Sequence, residues 1–586
     1  MSELIPKDLP KGKDLVQEGI KIGENIELGK SPFLQKRNVR CENDWKRMQA
    51  EKGNIQWNPI LGLGSVDEQV EGLKYLWEWS KKVGLEFDRC DSISSRVTGL
   101  PLDMRNKAPK ETAFIFEDPN DWVRIAQASP MALCILDHHI GSPNAVYNTT
   151  NALKAGATTV GLQPHIYYNY PYWHDDITQV VETVKAIGIM ASKRKDGIML
   201  SSQTGDGIEG QFFDHVSQIG FNRLQQYITE DLCGASYCTG LGGSISGDVP
   251  TKMAIGLALH DILKANQKTD HNVWEYVVGN TLEASKDIES NYALIVAEFI
   301  PFAILERKYK TGCAYMANPV TEYLRVPTVK EITDAFSVCA VALRKAKEYE
   351  KAKMFDDSHI NEIRSLLLNK GNQFFENLKK GLSEMGVDIT DPVQIFLATR
   401  RLGAAKLEEM CHPGERDSTY PGGFIPFVPA EPIRMAMKTK DDIVKKVYSE
   451  QLGDVVRDKK VVIGSTDIHI WGLFVVSAVL KDLGAKVVNG GIDLDVEQVL
   501  DLAFKEDTPY IAMSTNNGMC LDWCKHLMRL AKQRNQPIKA FMGGRLNTIL
   551  EGATEPVDVS DQLVGLGVIP CQEVNDLIKG IASIQT

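Results

Sequence analysis

The sequence predicts a two-part α/β protein, in which a (β/α)8 barrel is followed by a C-terminal flavodoxin-like domain with a parallel five-stranded sheet. Three observations lead to this prediction. Short apolar runs alternate with amphipathic helical stretches from residue 56 to about 345. A stretch with many prolines and glycines interrupts the periodicity at 411–432. A second, shorter series of strand and helix patterns then begins at about 443.

The length and composition restrict the class of protein. A chain of 586 residues is too long for one ordinary hydrophobic core, and its 43% hydrophobic and 24% charged residues are typical of globular proteins. The net charge of −11 argues against nucleic acid as a partner, because phosphate binding requires a basic surface. The eleven cysteines are scattered without zinc-site spacing, and we expect them to be reduced thiols.

The N-terminal region, residues 1–55, is polar and rich in lysine. We expect an arm that packs on the body of the protein, with helical pieces such as 43–53. The first residues lack the apolar segment of a secretory signal, and no apolar stretch reaches the length of a membrane span. We therefore expect a cytoplasmic protein that does not bind membranes.

Residues 56–345 repeat the strand and helix pattern of a (β/α)8 barrel, whose usual size is about 250 residues before insertions. A large doubly wound sheet is the alternative, because periodicity alone does not distinguish the two folds. Helical stretches such as 176–192 separate the predicted strands. These strands are 85–88, 112–116, 132–137, 158–162, 197–201, 293–299 and 313–317.

The remainder of the chain is predicted as two segments. Residues 346–442 contain helices with charged faces, followed by the linker rich in proline and glycine. Residues 443–586 form the second α/β domain, in which ligands are expected at the carboxyl ends of the strands. Its predicted strands are 460–465, 486–491, 510–515, 539–544 and 563–570.

Three motifs of the second domain fall at the carboxyl ends of predicted strands. They are Asp467-x-His469-x-x-Gly472, Ser514-Thr515-Asn516 and Gly543-Gly544. A single D-x-H sequence is usually a solvated turn, but three such motifs on neighbouring strand ends favour a ligand site. His469 can coordinate a metal through one ring nitrogen while Asp467 fixes the other, as metal-bound histidines usually require. Paired glycines let a large planar group approach the backbone.

This order of motifs resembles the cobalamin-binding domain of base-off/His-on B12 enzymes, over roughly residues 445–586. The resemblance implies that His469 is the lower axial ligand of cobalt, that Asp467 hydrogen-bonds to it, and that Gly472 makes room for the nucleotide tail. The residues implied to bind that tail are Ser514, Thr515, Gly543 and Gly544. Asn516 departs from the family pattern, which has leucine there. A nucleotide or flavin site is the alternative.

The barrel region resembles the catalytic subunit of glutamate mutase, an adenosylcobalamin-dependent carbon-skeleton mutase. Four stretches carry the resemblance in a common order: 64–84 continuing into 91–96, then 138–144, 166–173 and 318–328. The family implies adenosylcobalamin as the cofactor and a small dicarboxylate as the substrate. We also expect the chain to form a homo-oligomer.

The same resemblance implies residues of a substrate site. Arg96 corresponds to an arginine that binds the substrate, and a guanidinium group suits a carboxylate because it donates two parallel hydrogen bonds. Tyr168 and Tyr172 match two tyrosines near the substrate, and His139 stands in the place of another substrate arginine. Glu322 lies near the acid that contacts the ribose of the cofactor. On spacing alone, a surface arginine and an aromatic loop on the barrel rim are alternative interpretations.

One departure from the glutamate mutase pattern concerns the substrate. An acid of that family, which receives the ammonium group of glutamate, is replaced here by Leu162. An unpaired ammonium group in a desolvated site is costly, so we expect a substrate without one. A related single-chain mutase converts 2-methyleneglutarate to 3-methylitaconate, and we expect this substrate. A corrinoid-dependent methyltransferase, a mutase for a different carbon skeleton and a cobalamin-binding sensor are the alternatives.

Overall fold

The computed structural model describes residues 4–108, 111–205, 207–417, 420, 422–467, 471–516, 518–548 and 556–583. The chain divides into two compact units, Met1–Ala430 and Glu431–Thr586. Each unit contains a parallel sheet and helices, which confirms the predicted α/β class. The segment predicted as helices and linker, 346–442, is divided between the two units.

Nine short parallel strands form the sheet of the first unit. They are β1 Gln56–Trp57, β2 Ile60–Leu61, β3 Arg89–Ser92, β4 Ala132–Ile135, β5 Thr159–Val160, β6 Met199–Thr204, β7 Tyr237–Leu241, β8 Trp274–Val278 and β9 Ala314–Met316. Their order in the sheet is β1-β9-β8-β7-β6-β5-β4-β3-β2. Only residues 58–59 separate β1 from β2, and these two strands pair with β9 and β3, respectively. One short segment therefore pairs with both ends of the series, and the sheet is barrel-like.

The first unit also contains fourteen described α-helices, most of which follow a strand. They are α1 Gly12–Glu24, α2 Pro32–Arg37, α3 Glu42–Glu51, α4 Val66–Lys82, α5 Leu102–Arg105, α6 Pro119–Ala126, α7 Ala145–Ala155, α8 Asp176–Ser192, α9 His215–Gln226, α10 Val249–Asn266, α11 Ile288–Tyr309, α12 Val329–Lys351, α13 Ser358–Glu384 and α14 Pro392–Cys411. Side-chain caps fix several starts. The hydroxyl of Thr328, for example, accepts from the backbone of Glu331, and the Glu331 carboxylate accepts from the Thr328 backbone. Helix α8 confirms the helix predicted at 176–192.

The predicted strands are only partly correct in this unit. The runs at 132–137, 158–162 and 313–317 contain β4, β5 and β9, and the run at 197–201 overlaps β6, which extends to Thr204. The run at 293–299 is wrong, because it lies within α11, whose buried face includes Phe299 and Phe302. The runs at 85–88 and 112–116 are loops. Strands β7 and β8 were missed because polar residues such as Thr239 and Glu275, both buried, interrupt their apolar pattern.

A buried ionic network lies at the amino ends of the strands. The guanidinium of Arg89, the first residue of β3, bonds Asp91 at 2.7 Å and Glu42 at 3.1 Å and also contacts Glu275. Glu42 belongs to α3, so a helix of the predicted N-terminal arm packs at this edge. Since a buried arginine requires such partners, the network is a structural element. In barrels of parallel strands, ligand-binding sites lie at the opposite edge, at the carboxyl ends of the strands.

One helix among the described residues, α11, is long and apolar enough to cross a membrane by length and composition. This corrects the sequence-based observation that no apolar stretch has that length. Phe299, Phe302 and Leu305 of this helix are buried in the first unit, as is typical of a core helix.

The second unit contains a five-stranded parallel sheet with the strand order β11-β10-β12-β13-β16. Its strands are β10 Lys460–Ser465, β11 Lys486–Asn489, β12 Tyr510–Thr515, β13 Lys539–Gly544 and β16 Val568–Cys571, and β14 Asn547–Thr548 and β15 Val557–Asp558 form a separate antiparallel pair. Its helices are α15 Glu431–Ser449, α16 Trp471–Asp482, α17 Val496–Lys505, α18 Cys520–Gln533, α19 Ser560–Gly565 and α20 Val574–Ser583. The five predicted strands are confirmed, although the last begins later than expected.

Candidate functional site

A cavity of about 550 Å³ lies in the second unit, beside the carboxyl ends of β10, β12 and β13. Four residues of the predicted cofactor motifs line it, namely Gly472, Ser514, Gly543 and Gly544. Most of the other walls are apolar and include Leu473, Val476, Phe541 and Leu577. Helix α15 contributes the polar residues Thr439, Asp442 and Lys446. Motifs that are distant in the sequence thus meet at one cavity of the size that typically holds a cofactor.

Two glycines on the edge of this cavity permit close approach of neighbouring segments. Gly544 has a φ of +96°, and a Cβ there would overlap the backbone carbonyl of Thr515. A Cβ on Gly472 would lie 2.5 Å from the Oγ of Ser514. The absence of a side chain therefore lets helix α16 lie against the end of β12 and lets the end of β13 approach the same strand.

Asp467 connects two of the predicted motifs. Its carboxylate is buried after β10, and Oδ2 accepts a hydrogen bond of 2.5 Å from the backbone N–H of Asn516. Its own N–H donates to the Oγ of Ser465 over 3.3 Å. His469 lies outside the described residues, so its bond to Asp467 stays a prediction. Thr515 is buried and is not among the residues that line the cavity.

Three segments of the first unit meet at the carboxyl ends of β3, β4 and β5. They are the 3-10 helix Arg96–Gly99, residues 136–144 and residues 163–173. A Cβ on Gly99 would overlap the ring of Tyr170, so these two segments are in direct contact. Asn148 of α7 donates hydrogen bonds of 2.9 Å to the carbonyl groups of Thr98 and His138. The structure therefore brings the segments of Arg96, His139 and Tyr168 together.

Arg96 is fixed by an ion pair with Glu111. The distance from Nε to Oε1 is 2.6 Å, and the other carboxylate oxygen accepts from the backbone N–H of Arg96 at 3.0 Å. The side chain of Arg96 is 21% exposed. Glu111 thus orients a guanidinium group that is partly exposed.

His139 does not present a ring nitrogen to a ligand. Its Nε2 accepts a hydrogen bond of 2.8 Å from the indole of Trp122, and its Nδ1 lies 2.7 Å from the carbonyl oxygen of Asp137. The ring is fully buried, and burial lowers the pKa of His139 to about 3. Both nitrogens of a neutral ring are occupied, so these contacts do not favour the substrate role that was predicted for His139.

The neighbouring His138 forms a pair with His165 instead. The two rings are stacked with centroids 4.4 Å apart, and the backbone N–H of His138 donates to Nδ1 of His165 over 2.9 Å. Burial lowers the pKa of His165 to about 3 and that of His138 well below its usual value, with smaller effects from His165 and Arg96 on the latter. Burial therefore favours the neutral form of both rings. Two adjacent histidines carry no periodic signal that could have selected His138 rather than His139.

The remaining predicted residues occupy different environments. Tyr168 is buried, and its ring centroid lies 4.5 Å from that of His165. Tyr172 is half-buried further along the same loop. Leu162 is buried in an apolar cluster with Cys134, Leu136, Tyr276, Ala314 and Met316. Glu322 is exposed in the turn after β9.

Two residues that the sequence reasoning missed hold the tyrosine segment, 163–173, in place. Arg400 of α14 donates two hydrogen bonds of 3.1 Å to the carbonyl oxygen of Tyr168. Gln179 of α8 donates to the carbonyl oxygen of His165 over 3.1 Å. A pair of adjacent arginines inside an otherwise apolar helical pattern, at 400–401, was the signal that could have indicated a buried role.

The comparison of this sequence with protein-family models finds no match, and the comparison with curated proteins finds none either. The function of the chain is therefore inferred from its motifs and from the geometry of its two units.

Proposed function

We propose that this protein is an adenosylcobalamin-dependent isomerase that rearranges a small dicarboxylate, converting 2-methyleneglutarate to 3-methylitaconate. One observation carries the proposal: Gly472, Ser514, Gly543 and Gly544 line a single cavity. The resemblance to B12 enzymes implies a cofactor-binding role for these four residues.

The proposal also includes a closed barrel in the first unit and a cobalamin-binding fold in the second. We infer that β1 and β2 are one interrupted strand and that the sheet of the first unit closes into a (β/α)8 barrel, because this segment pairs with β9 and with β3. In the second unit β10 lies between β11 and β12, so the strand order reverses there. Ligands of flavodoxin-like sheets bind at such a reversal, which supports a cobalamin-binding domain.

The residues of the second unit fit the cofactor. Glycine backbone and apolar walls accept a planar aromatic base, and Ser514 offers a hydroxyl group within the cavity. His469 would be the cobalt ligand, and Asp467 would hold its other ring nitrogen. When bound, adenosylcobalamin would supply the radical chemistry of hydrogen abstraction that such a rearrangement needs.

The residues of the first unit bind and orient the substrate in this proposal. Arg96, oriented by Glu111, forms charge-assisted hydrogen bonds with one carboxylate. Tyr168 forms a rigid wall because it packs against His165. The apolar cluster around Leu162 favours a methylene group over an ammonium group, since a buried ammonium without a partner is costly. A barrel mouth shielded from water keeps the reactive substrate from side reactions.

Turnover tests this function. The protein, purified anaerobically, is mixed with adenosylcobalamin and 2-methyleneglutarate, and products are followed by proton NMR. We expect 3-methylitaconate from 2-methyleneglutarate and no rearrangement of glutamate. Protein that binds the cofactor but forms no rearranged product contradicts the proposed reaction. Transfer of a methyl group from a donor to cobalt would instead favour a methyltransferase.

A further inference from the structure

His138 lies at the centre of the three segments that meet in the first unit. Its φ of +64° is in the left-handed region, and hydrogen bonds from its N–H and to its carbonyl oxygen hold this backbone in place. The ring of His138 stacks on that of His165, and Nδ1 of His138 lies 3.0 Å from the hydroxyl oxygen of Tyr170. Within the described part of the chain, Nε2 of His138 has no hydrogen-bond partner.

The hydrogen-bond pattern assigns the proton of this ring. Tyr170 is 1% exposed, and Nδ1 of His138 is the one partner of its hydroxyl group among the described residues. A buried phenol whose hydroxyl group donated to nothing would destabilise the folded state by the full desolvation penalty of that donor. The hydroxyl therefore donates to Nδ1, and the proton of the neutral ring lies on Nε2.

The surroundings keep the ring uncharged. A proton added to His138 would place a positive charge in a buried site, against the stacked ring of His165 and within the influence of Arg96. His138 is 6% exposed, so the residue is not completely enclosed. The group offered at this place is a neutral N–H donor, which suits a carboxylate oxygen beside the cation of Arg96.

We propose that His138 is a substrate-binding residue whose Nε2–H donates a hydrogen bond to a carboxylate of the dicarboxylate. This inference rests on the proposed function and assigns part of its specificity. Tyr170 is a positioning residue in this arrangement, because it fixes the proton on Nε2. Gly99 is part of the same arrangement, since any larger residue would displace the ring of Tyr170.

Two substitutions of His138 separate a binding role from a structural one. His138→Asn keeps a polar atom near Nδ1 for Tyr170, removes the Nε2 donor, and suits the left-handed backbone. His138→Gln places an amide donor near the position of Nε2. We expect KM for 2-methyleneglutarate to rise about tenfold in His138→Asn, with kcat nearly unchanged, and to stay within about threefold of wild type in His138→Gln. An unchanged KM in His138→Asn, or an equal rise in both variants, would overturn the inference.

Tyr170→Phe supplies a second measurement if His138→Asn does not fold. Without the hydroxyl donor the proton is no longer confined to Nε2, and we expect KM to rise about threefold with kcat unchanged. A KM equal to that of wild type contradicts the assignment of the proton and the inference with it.

Calorimetric binding of 2-methyleneglutarate to the cofactor-free protein distinguishes the two proposals. Suppose that the dicarboxylate binds to wild type, binds about tenfold more weakly to His138→Asn, and is not rearranged when wild type is loaded with adenosylcobalamin. That result contradicts the proposed function and supports the role of His138. A wild type that does not bind the dicarboxylate overturns the inference.

Discussion

The candidate site of the second unit is formed mainly by close approach of backbone segments, whereas that of the first unit is formed by side chains on loops. In the second unit, glycines let backbone segments approach around an apolar cavity. In the first unit, the three segments that carry Arg96, His138 and Tyr168 are held by hydrogen bonds to their backbone. The partners are Glu111, His165 and Arg400, respectively. A site made by backbone approach depends on residue type at a few positions. A site made by side chains depends on how the loops are packed, and substitutions in the two sites should therefore have separable effects.

The largest effect is expected when the guanidinium group that binds the substrate, that of Arg96, is removed. Arg96→Met should lower kcat/KM for 2-methyleneglutarate by about 10³-fold, because the partly buried carboxylate of the substrate loses its charged partner. The affinity for adenosylcobalamin, followed by absorbance, should be unchanged. Arg124→Met is the matched control, since it removes an arginine of the first unit that is ion-paired with Asp67 on the outer helices. A comparable loss in both variants would contradict a specific role of Arg96.

A smaller effect is expected on the stability of the first unit at acidic pH. His138, His139 and His165 are buried with lowered pKa values, so below pH 6.5 they bind fewer protons in the folded chain than in the unfolded chain. The contribution of these three rings to the free energy of unfolding should therefore fall as the pH falls below 6.5. Buried carboxyl groups of the same unit act in the opposite direction, because burial raises the pKa of Glu306 to about 7 and that of Glu408 to about 8. Between pH 6.5 and 5.5 each histidine should cost about 1 kcal/mol, or about 3 kcal/mol together.

Replacing one ring isolates its contribution. The free energy of unfolding of wild type and of His165→Phe, measured by denaturant titration, should differ by about 1 kcal/mol less at pH 5.5 than at pH 6.5, because the variant takes up one proton fewer when it unfolds. A difference that does not change with pH would show that the ring of His165 is not held neutral.

The smallest effect is expected at the cofactor cavity. Gly472→Ala adds a Cβ that would lie 2.5 Å from the Oγ of Ser514, and we expect about a tenfold loss of affinity for adenosylcobalamin. In a Ser514→Ala background the added Cβ has more space, so the same change should cost less. Gly565→Ala is the control, because this helical glycine has no atom within 4 Å of the added Cβ. Additive losses in the double variant would contradict direct contact between the two residues.

The same contrast explains what the sequence could predict. The strands of the second unit are continuous apolar runs, and three of them, 460–465, 510–515 and 539–544, have the predicted bounds. In the first unit, β8 carries the buried Glu275, which interrupts the apolar pattern, and the apolar run at 293–299 belongs to a helix. Burial of charged residues inside a sheet depends on distant partners such as Arg89, and local sequence patterns do not contain them.

The candidate sites were predictable to different degrees for the same reason. Gly472 and Gly544 could be selected from the sequence, because close backbone approach requires glycine. The choice between His138 and His139 could not be made, since it depends on the indole of Trp122 reaching one ring and the hydroxyl of Tyr170 reaching the other. The contribution of Arg400 depends on the packing of α14 beside the tyrosine segment.

The most direct test of the central proposal is the EPR spectrum of the anaerobic protein, loaded with adenosylcobalamin and frozen during turnover of 2-methyleneglutarate. The proposal predicts a signal from Co(II) coupled to an organic radical, present with this dicarboxylate and absent without substrate. If the cofactor is bound and the substrate is present, but neither this signal nor rearranged product forms, the proposed mutase function is contradicted.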